Sequence, residues 1–275
     1  MKRLLWLLAV QLLFTTALRA QDGACRIVRD IAYREAAGDG YIDSLCRLDL
    51  CCPTGGQGFP TVIWFHGGGL EGGRREIPEA LCGKGFAVVG VEYRLVPRVK
   101  VADCVADAAA AAAWVVEHIA DYGGDPRLIF VAGHSAGGYL TSMIGLDKRW
   151  LAPYGIDPDE AFAALIPYSG QAVTHFARRR ELGLPDTQPL VDDMAPLYHV
   201  RPDAPPMLIL SGDRELEMLG RYEENAYFWR MMRIAGHPDV RIREFDGFDH
   251  GNMPEAGHYV AVRYIRERVK ALQGR

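Results

Sequence analysis

Seven short stretches of the chain are rich in apolar residues, five of them almost wholly so: Leu45 to Cys51 (with Arg47 and Asp49), Pro60 to Phe65, Phe86 to Glu92, Leu128 to Val131, Phe162 to Tyr168, Met207 to Leu210 and Val240 to Phe245 (with Arg241, Arg243 and Glu244). A strand with one wet face alternates apolar and polar residues, whereas a strand covered on both faces does not. Runs of this second kind, separated by helix-length segments, predict an α/β fold with a mostly parallel central sheet and helices on both faces. Helices are expected at Glu76 to Gly83, Ala102 to Tyr122, Gly138 to Leu146, Arg221 to Ile234 and Gly257 to Leu272. The alanines Ala108 to Ala113 are strong helix formers and belong inside the second of these. At 275 residues and 49% hydrophobic content the chain can bury one large core. No repeat or charged linker divides it, so residues 21–275 read as a single domain. The proline-punctuated segment 170–206 reads as an excursion over the sheet, a candidate cap.

The first twenty residues carry Lys2 and Arg3, then an apolar run to Phe14, then a more polar end at Ala20. That pattern reads as a secretory signal peptide, 1–20, and predicts a secreted or periplasmic protein with no stable membrane insertion. Its removal takes Lys2, Arg3 and Arg19 and no acid, so a net charge of −4 becomes about −7. A balance this acidic disfavours nucleic acid, whose binding needs clustered Lys and Arg. The run Arg178, Arg179, Arg180 reads as a solvated surface patch. Cys25, Cys46, Cys51, Cys52, Cys82 and Cys104 include no C-x-x-C pair, so a zinc site has little support; exported cysteines permit disulfides, though a core of this size does not need them.

In an open sheet of this type, ligands bind outside the carboxyl ends of the strands. There the run Leu128 to Ala132 breaks into Gly133-His134-Ser135-Ala136-Gly137 and then into small, helix-compatible residues. A G-x-S-x-G in a strand-turn-helix context holds a serine hydroxyl at the tip of a strained turn, with neighbours small enough to let the chain pack around it. After the strand ending at Phe65 comes His66-Gly67-Gly68-Gly69, where glycines let backbone N–H groups approach a substrate oxygen. His66 reads as a structural hydrogen-bonding residue of that loop. Serine needs a base, and the base needs an orienting acid. His250, in Phe248-Asp249-His250-Gly251 after a strand, is the best placed of eight histidines; His258 falls within the last helix, where a surface role is expected. The acid is expected after Leu210, in Ser211-Gly212-Asp213-Arg214-Glu215-Leu216-Glu217. Glu215 is favoured, Asp213 is the alternative, and Glu217 comes third.

With HGGG at His66 to Gly69, VEYRL at Val91 to Leu95, YGGDPRLIFVAGHSAGG at Tyr122 to Gly138, SGDRE at Ser211 to Glu215 and DHG at Asp249 to Gly251, the chain resembles the α/β-hydrolases. Within them it is similar to the hormone-sensitive-lipase-like carboxylesterase group, including bacterial acetyl- and feruloyl-esterase-like members. The resemblance spans roughly residues 45–270. It implies oxyanion donors at Gly68, Gly69 and Ala136, with Ser135, Glu215 and His250 as nucleophile, acid and base in that order along the chain. A glutamate in place of the commoner aspartate, and an N-terminal region too short for a large helical cap, depart from the pattern. The second departure argues against a deep tunnel for long lipid chains.

The expected activity is hydrolysis of short-chain or carbohydrate-linked acetyl or feruloyl esters through an acyl-enzyme. The partner is then a small-molecule or oligosaccharide ester, and no metal or organic cofactor is needed. The alternatives are a serine peptidase or amidase of the same fold and an inactive hydrolase-fold binding module. Tyr154, Phe176, Tyr198 and Trp229 could line an aromatic acyl pocket, although burial in the core is the expected place for each.

Overall fold

The computed structural model describes residues 23–274, so the stretch read as a signal peptide lies outside the described residues. Eight strands form one sheet in the order β1-β2-β4-β3-β5-β6-β7-β8. They are β1 (Cys25–Ala32), β2 (Arg47–Pro53), β3 (Phe59–Phe65), β4 (Ala87–Val91), β5 (Gly124–His134), β6 (Phe162–Tyr168), β7 (Met207–Gly212) and β8 (Val240–Phe245). β1 and β2 run antiparallel to their neighbours, and every pairing from β4 through β8 is parallel. Each of the seven apolar runs supplies one strand. β1 was not expected: CRIVRDIA is charged and largely exposed, as suits the outer strand of the sheet.

The helices are α1 (Gly40–Leu45), α2 (Val101–His118), α3 (Ala136–Leu146), α4 (Pro158–Ala161), α5 (Phe176–Glu181), α6 (Arg221–Ile234) and α7 (Met253–Gln273). The helix expected at Glu76 to Gly83 is only a single 3-10 turn, Glu79–Leu81. Pro78 supplies no N–H and its ring opposes a preceding helical turn. Two buried clusters lie on opposite faces of the sheet. One gathers α2 and α3 against Ile63, Phe65, Val89 and Val131. The other gathers α7 against Trp64, Phe130, Ile166 and Leu210. Ala108 to Ala113 are all buried, so their small side chains bring the backbone of α2 close to its neighbours. None of the described helices is long and apolar enough to cross a membrane.

Polar side chains also cross this core. Asp107 on α2, fully buried, accepts Nε and Nη2 of Arg94 at 2.8 and 2.9 Å and the Arg94 backbone N–H at 3.1 Å. Arg34 donates to the same carboxylate. The group ties α2 to the chain leaving β4. Removing the carboxylate strands two guanidinium groups, so Asp107→Ala is expected to lower unfolding free energy by about 3–5 kcal/mol. Urea unfolding checks this, and a loss below about 1 kcal/mol would contradict it.

Candidate active site

The turn between β5 and α3 is shaped by close approach. A Cβ on Gly133 would lie 2.6 Å from the backbone of Gly137, and one on Gly137 would lie 2.0 Å from the carbonyl oxygen of Phe65. With those positions bare, the chain reverses within one residue, and Ser135 takes φ 56° and ψ −112°. That conformation is rarely populated by a non-glycine residue and costs on the order of 1–3 kcal/mol. Two backbone bonds hold it: Ser135 N–H donates to Tyr168 at 2.8 Å, and Tyr139 N–H donates to Ser135 at 3.0 Å. The hydroxyl therefore stands at the N-terminus of α3, where unpaired N–H groups and the helix dipole favour negative charge.

His250 reaches this serine from the loop between β8 and α7. Its Nε2 lies 2.8 Å from Ser135 Oγ. Asp249 shapes the loop by accepting the N–H groups of Gly251 and Asn252, both at 2.9 Å. His134 ties the loop to the elbow, its Nε2–H donating to the His250 carbonyl at 2.8 Å. A carbonyl can only accept, so His134 Nε2 carries a proton. His134 was not singled out in the sequence, although a polar residue beside such a serine is a signal that it contacts a neighbouring loop.

The carboxylate beside His250 is Glu217, not Glu215 or Asp213. Glu217 Oε2 lies 2.7 Å from His250 Nδ1, and its side chain is 1% exposed. Its Oε1 accepts the Gly212 N–H at 2.9 Å and the Ser169 hydroxyl. The reason lies in the turn after β7. Asp213 spends its carboxylate on the N–H groups of Glu215 and Gly247, both at 2.8 Å. Its carbonyl accepts the N–H groups of Leu216 and Glu217. That single helical turn leaves Glu215 exposed and carries Glu217 back under the loop of His250. Gly212 makes room, since a Cβ there would lie 3.0 Å from Glu217 Oε1.

The glycine loop after β3 abuts the same serine, with the Cβ position of Gly67 3.4 Å from Ser135 Cβ. The Gly67 carbonyl accepts from His66 Nδ1 at 2.7 Å, and the Gly68 carbonyl accepts the N–H groups of Glu71 and Gly72 at 3.1 and 3.0 Å. In a trans peptide, C=O and the following N–H point oppositely. The N–H groups of Gly68 and Gly69 therefore face away from those internal bonds. At Gly68, φ is 110° and a Cβ would lie 2.1 Å from the Gly72 oxygen, so only glycine fits. Ala136 is the first residue of α3, where an N–H has no partner within the helix.

Other expectations are corrected. His258 is a core residue rather than a surface one, its Nδ1 3.3 Å from the Tyr168 hydroxyl. Tyr154 and Tyr198 are exposed rather than buried, and Trp229 is half-buried, its Nε1 donating to the Val240 carbonyl at 3.3 Å. Of the four aromatics only Phe176 is placed against the site, 2.9 Å from the Cβ position of Gly69. The three arginines are not a free patch: Arg179 is buried and donates to the Gln188 carbonyl, while Arg178 and Arg180 pair with Glu181 and Glu71. The six cysteines are all free thiols. Among the described residues, no group of three or more His, Cys, Asp or Glu could hold a metal ion. A cavity of about 820 Å³ opens behind the His250 loop, lined by Trp64, Glu76, His134, Glu255 and Tyr259 among others but not by Ser135.

The BD-FAE family model matches residues 48–153. The probable carboxylic ester hydrolase LipM of Mycobacterium tuberculosis is 31% identical over 77% of this chain and 53% of its own length. Esterase LipQ of the same organism is 29% identical over 80% of this chain and 56% of its own. The chain thus spans about half the length of these curated relatives. Among solved structures, a truncated carbohydrate esterase from gut microbiota superposes with a TM-score of 0.71 at 17% identity, covering 90% of this chain and 98% of that one. The propionate-bound esterase Est2 of Thermogutta terrifontis gives 0.69 at 24% identity, covering 90% and 95%. The chain has the α/β-hydrolase fold, as the sequence motifs implied. Its sequence relatives are carboxylic ester hydrolases and esterases, the kind of protein the motifs resembled.

The site carries a signature in acid. Burial disfavours the ionised form of Glu217, but the hydrogen bonds from His250 and Ser169 outweigh it and hold the carboxyl at about 2, from an ordinary 4.5. That stabilisation is complete above pH 4.5 and is lost as pH falls toward 2. Burial, with the neighbouring His250, pushes His134 from 6.5 down to about 4. A lowered histidine favours the fold above pH 6.5 and opposes it as pH falls through 4. His134→Gln, which keeps a donor, should therefore flatten the pH dependence of unfolding free energy between pH 6.5 and 4 by up to about 1.4 kcal/mol per pH unit. Urea titrations at several pH values check this, and an unchanged slope would contradict it.

Proposed function

We propose that this protein is a serine carboxylic ester hydrolase, with Ser135 as nucleophile, His250 as general base and Glu217 as the acid that orients it. The observation that carries the proposal is the row of two contacts, 2.8 Å from Ser135 to His250 and 2.7 Å from His250 to Glu217, ending on a strained serine beside a glycine loop. Ser135 Oγ attacks the ester carbonyl carbon while its proton passes to His250 Nε2. The N–H groups of Gly68, Gly69 and Ala136 bear the resulting oxyanion. Collapse expels the alcohol, which takes the proton from His250, and leaves an acyl-serine. Water, deprotonated by the same imidazole, then releases the carboxylic acid and restores the serine. Glu217, anionic well below neutral pH, stabilises the imidazolium formed in both steps.

The same proposal assigns short acyl groups, such as acetyl, on small or carbohydrate-linked alcohols. Phe176 stands against Gly69 where a longer acyl chain would need room, and the relatives named as esterases support ester over amide chemistry. The carbohydrate esterase among the structural neighbours supports a saccharide alcohol. Segment 170–206, which carries Phe176 on α5, acts as the cap over this acyl site. Export through residues 1–20 completes the reading, and N-terminal sequencing of the mature protein tests it.

Ser135→Ala is expected to abolish both hydrolysis of p-nitrophenyl acetate and labelling by a fluorophosphonate probe; retained activity would overturn the proposal. Glu217→Gln should lower kcat by about 10³- to 10⁴-fold, by analogy with loss of the triad acid elsewhere. Glu215→Gln should stay within about twofold, and the reverse ranking would return the role to Glu215.

A further inference from the structure

A second carboxylate–imidazole pair lies behind the glycine loop. His66 and Glu92 are buried, with His66 Nε2 2.8 Å from Glu92 Oε1 and the other ring nitrogen, Nδ1, 2.7 Å from the Gly67 carbonyl. Glu92 Oε2 accepts the Arg75 N–H at 2.9 Å. Its backbone is held on both sides, since Glu92 N–H donates to Arg47 at 2.9 Å and the Tyr33 hydroxyl donates to the Glu92 carbonyl at 2.8 Å. The ring of His66 stacks on Tyr93 with centroids 4.3 Å apart and planes 10° from parallel. Tyr93 also donates its hydroxyl to the His66 carbonyl at 2.9 Å. Gly73, at φ 98°, closes the arrangement, for a Cβ there would lie 2.4 Å from both His66 Nδ1 and the Gly67 oxygen.

The two pairs differ in what the imidazole faces. Ser135 Oγ can donate or accept, so the His250 pair can move a proton. The Gly67 carbonyl can only accept, so His66 must keep a proton on Nδ1 and can transfer none there. What that bond does is orient a peptide plane. With the Gly67 carbonyl drawn toward His66, the N–H of Gly68 points the opposite way. We infer that Glu92 and His66 are positioning residues that hold the Gly68 N–H at the angle the oxyanion requires. The inference rests on the serine esterase reading above, and it assigns a role to the glutamate of VEYRL, which the catalytic row does not use.

Glutamine at position 92 can reproduce both contacts, its Oε1 accepting from Arg75 N–H and its amide donating to a neutral His66 Nε2. Leucine can reproduce neither. Glu92→Gln is therefore expected to keep kcat within about threefold. His66→Phe, which keeps the ring stack, and Glu92→Leu should lower kcat by about 10- to 100-fold, short of the 10²- to 10³-fold typical when an oxyanion donor is deleted outright. KM should stay within about twofold. Binding of a trifluoromethyl ketone, whose hemiketal places an oxyanion at the same point, should weaken by the same factor as kcat/KM. The double variant His66→Phe/Glu92→Leu leaves no unpaired buried charge and provides a folded test if a single variant does not fold. A folded double variant with wild-type kcat and ketone affinity would overturn the inference, as would Glu92→Gln losing as much as Glu92→Leu. Failure of the parent chain to label at Ser135 would instead defeat the esterase reading itself.

Discussion

The site depends on one steric constraint: the end of β5, the start of α3 and the carbonyl of Phe65 at the end of β3 meet where no side chain fits. Gly133 and Gly137 satisfy that constraint, and the strained turn at Ser135 is its result. The strain persists because the sheet over-determines it: β5 sits between β3 and β6, and the Ser135 N–H is taken by the strand beside it. Everything else at the site converges on that position. The glycine loop leaves β3 next to it, the His250 loop is tied to it through His134, and the Glu217 turn leaves β7 two strands away.

Around this point the polar groups divide into those that can exchange a proton and those that cannot. Glu217 gathers hydrogen bonds from Gly212, Ser169 and His250, enough to remain ionised despite burial. A carboxylate so held keeps its partner in one tautomer, with Nδ1–H toward Glu217 and the Nε2 lone pair toward the serine. His134 and His66 each turn one ring nitrogen to a backbone carbonyl, where that nitrogen can only donate. Three imidazoles thus lie within one loop cluster, and only His250 faces a hydroxyl that can pass it a proton.

Much of this was legible before the fold was known. Continuous apolar runs such as Met207 to Leu210 located the inner strands, because burial on both faces removes polar positions, whereas β8, VRIREF, is half-buried and keeps three charged residues. Ser135 and His250 were legible because each sits in a short motif at a strand end. β1 was not, since this edge strand is largely exposed and carries Arg26, Arg29 and Asp30. Glu217 ranked behind Glu215 and Asp213 because counting from the strand end ignores the turn. Asp213 as a cap consumes one helical turn, and a residue four positions on returns to the same side. His258 was misplaced because an amphipathic helix does not announce which of its polar residues will meet a buried tyrosine.

The central claim is that Ser135 forms the covalent bond. Rapid-quench mass spectrometry during turnover of p-nitrophenyl acetate measures that directly. The account predicts an added acetyl mass on the peptide containing Ser135, appearing within the first turnover and decaying as substrate is exhausted. Release of p-nitrophenol with that peptide unmodified throughout, or with the acetyl group carried elsewhere, would contradict it.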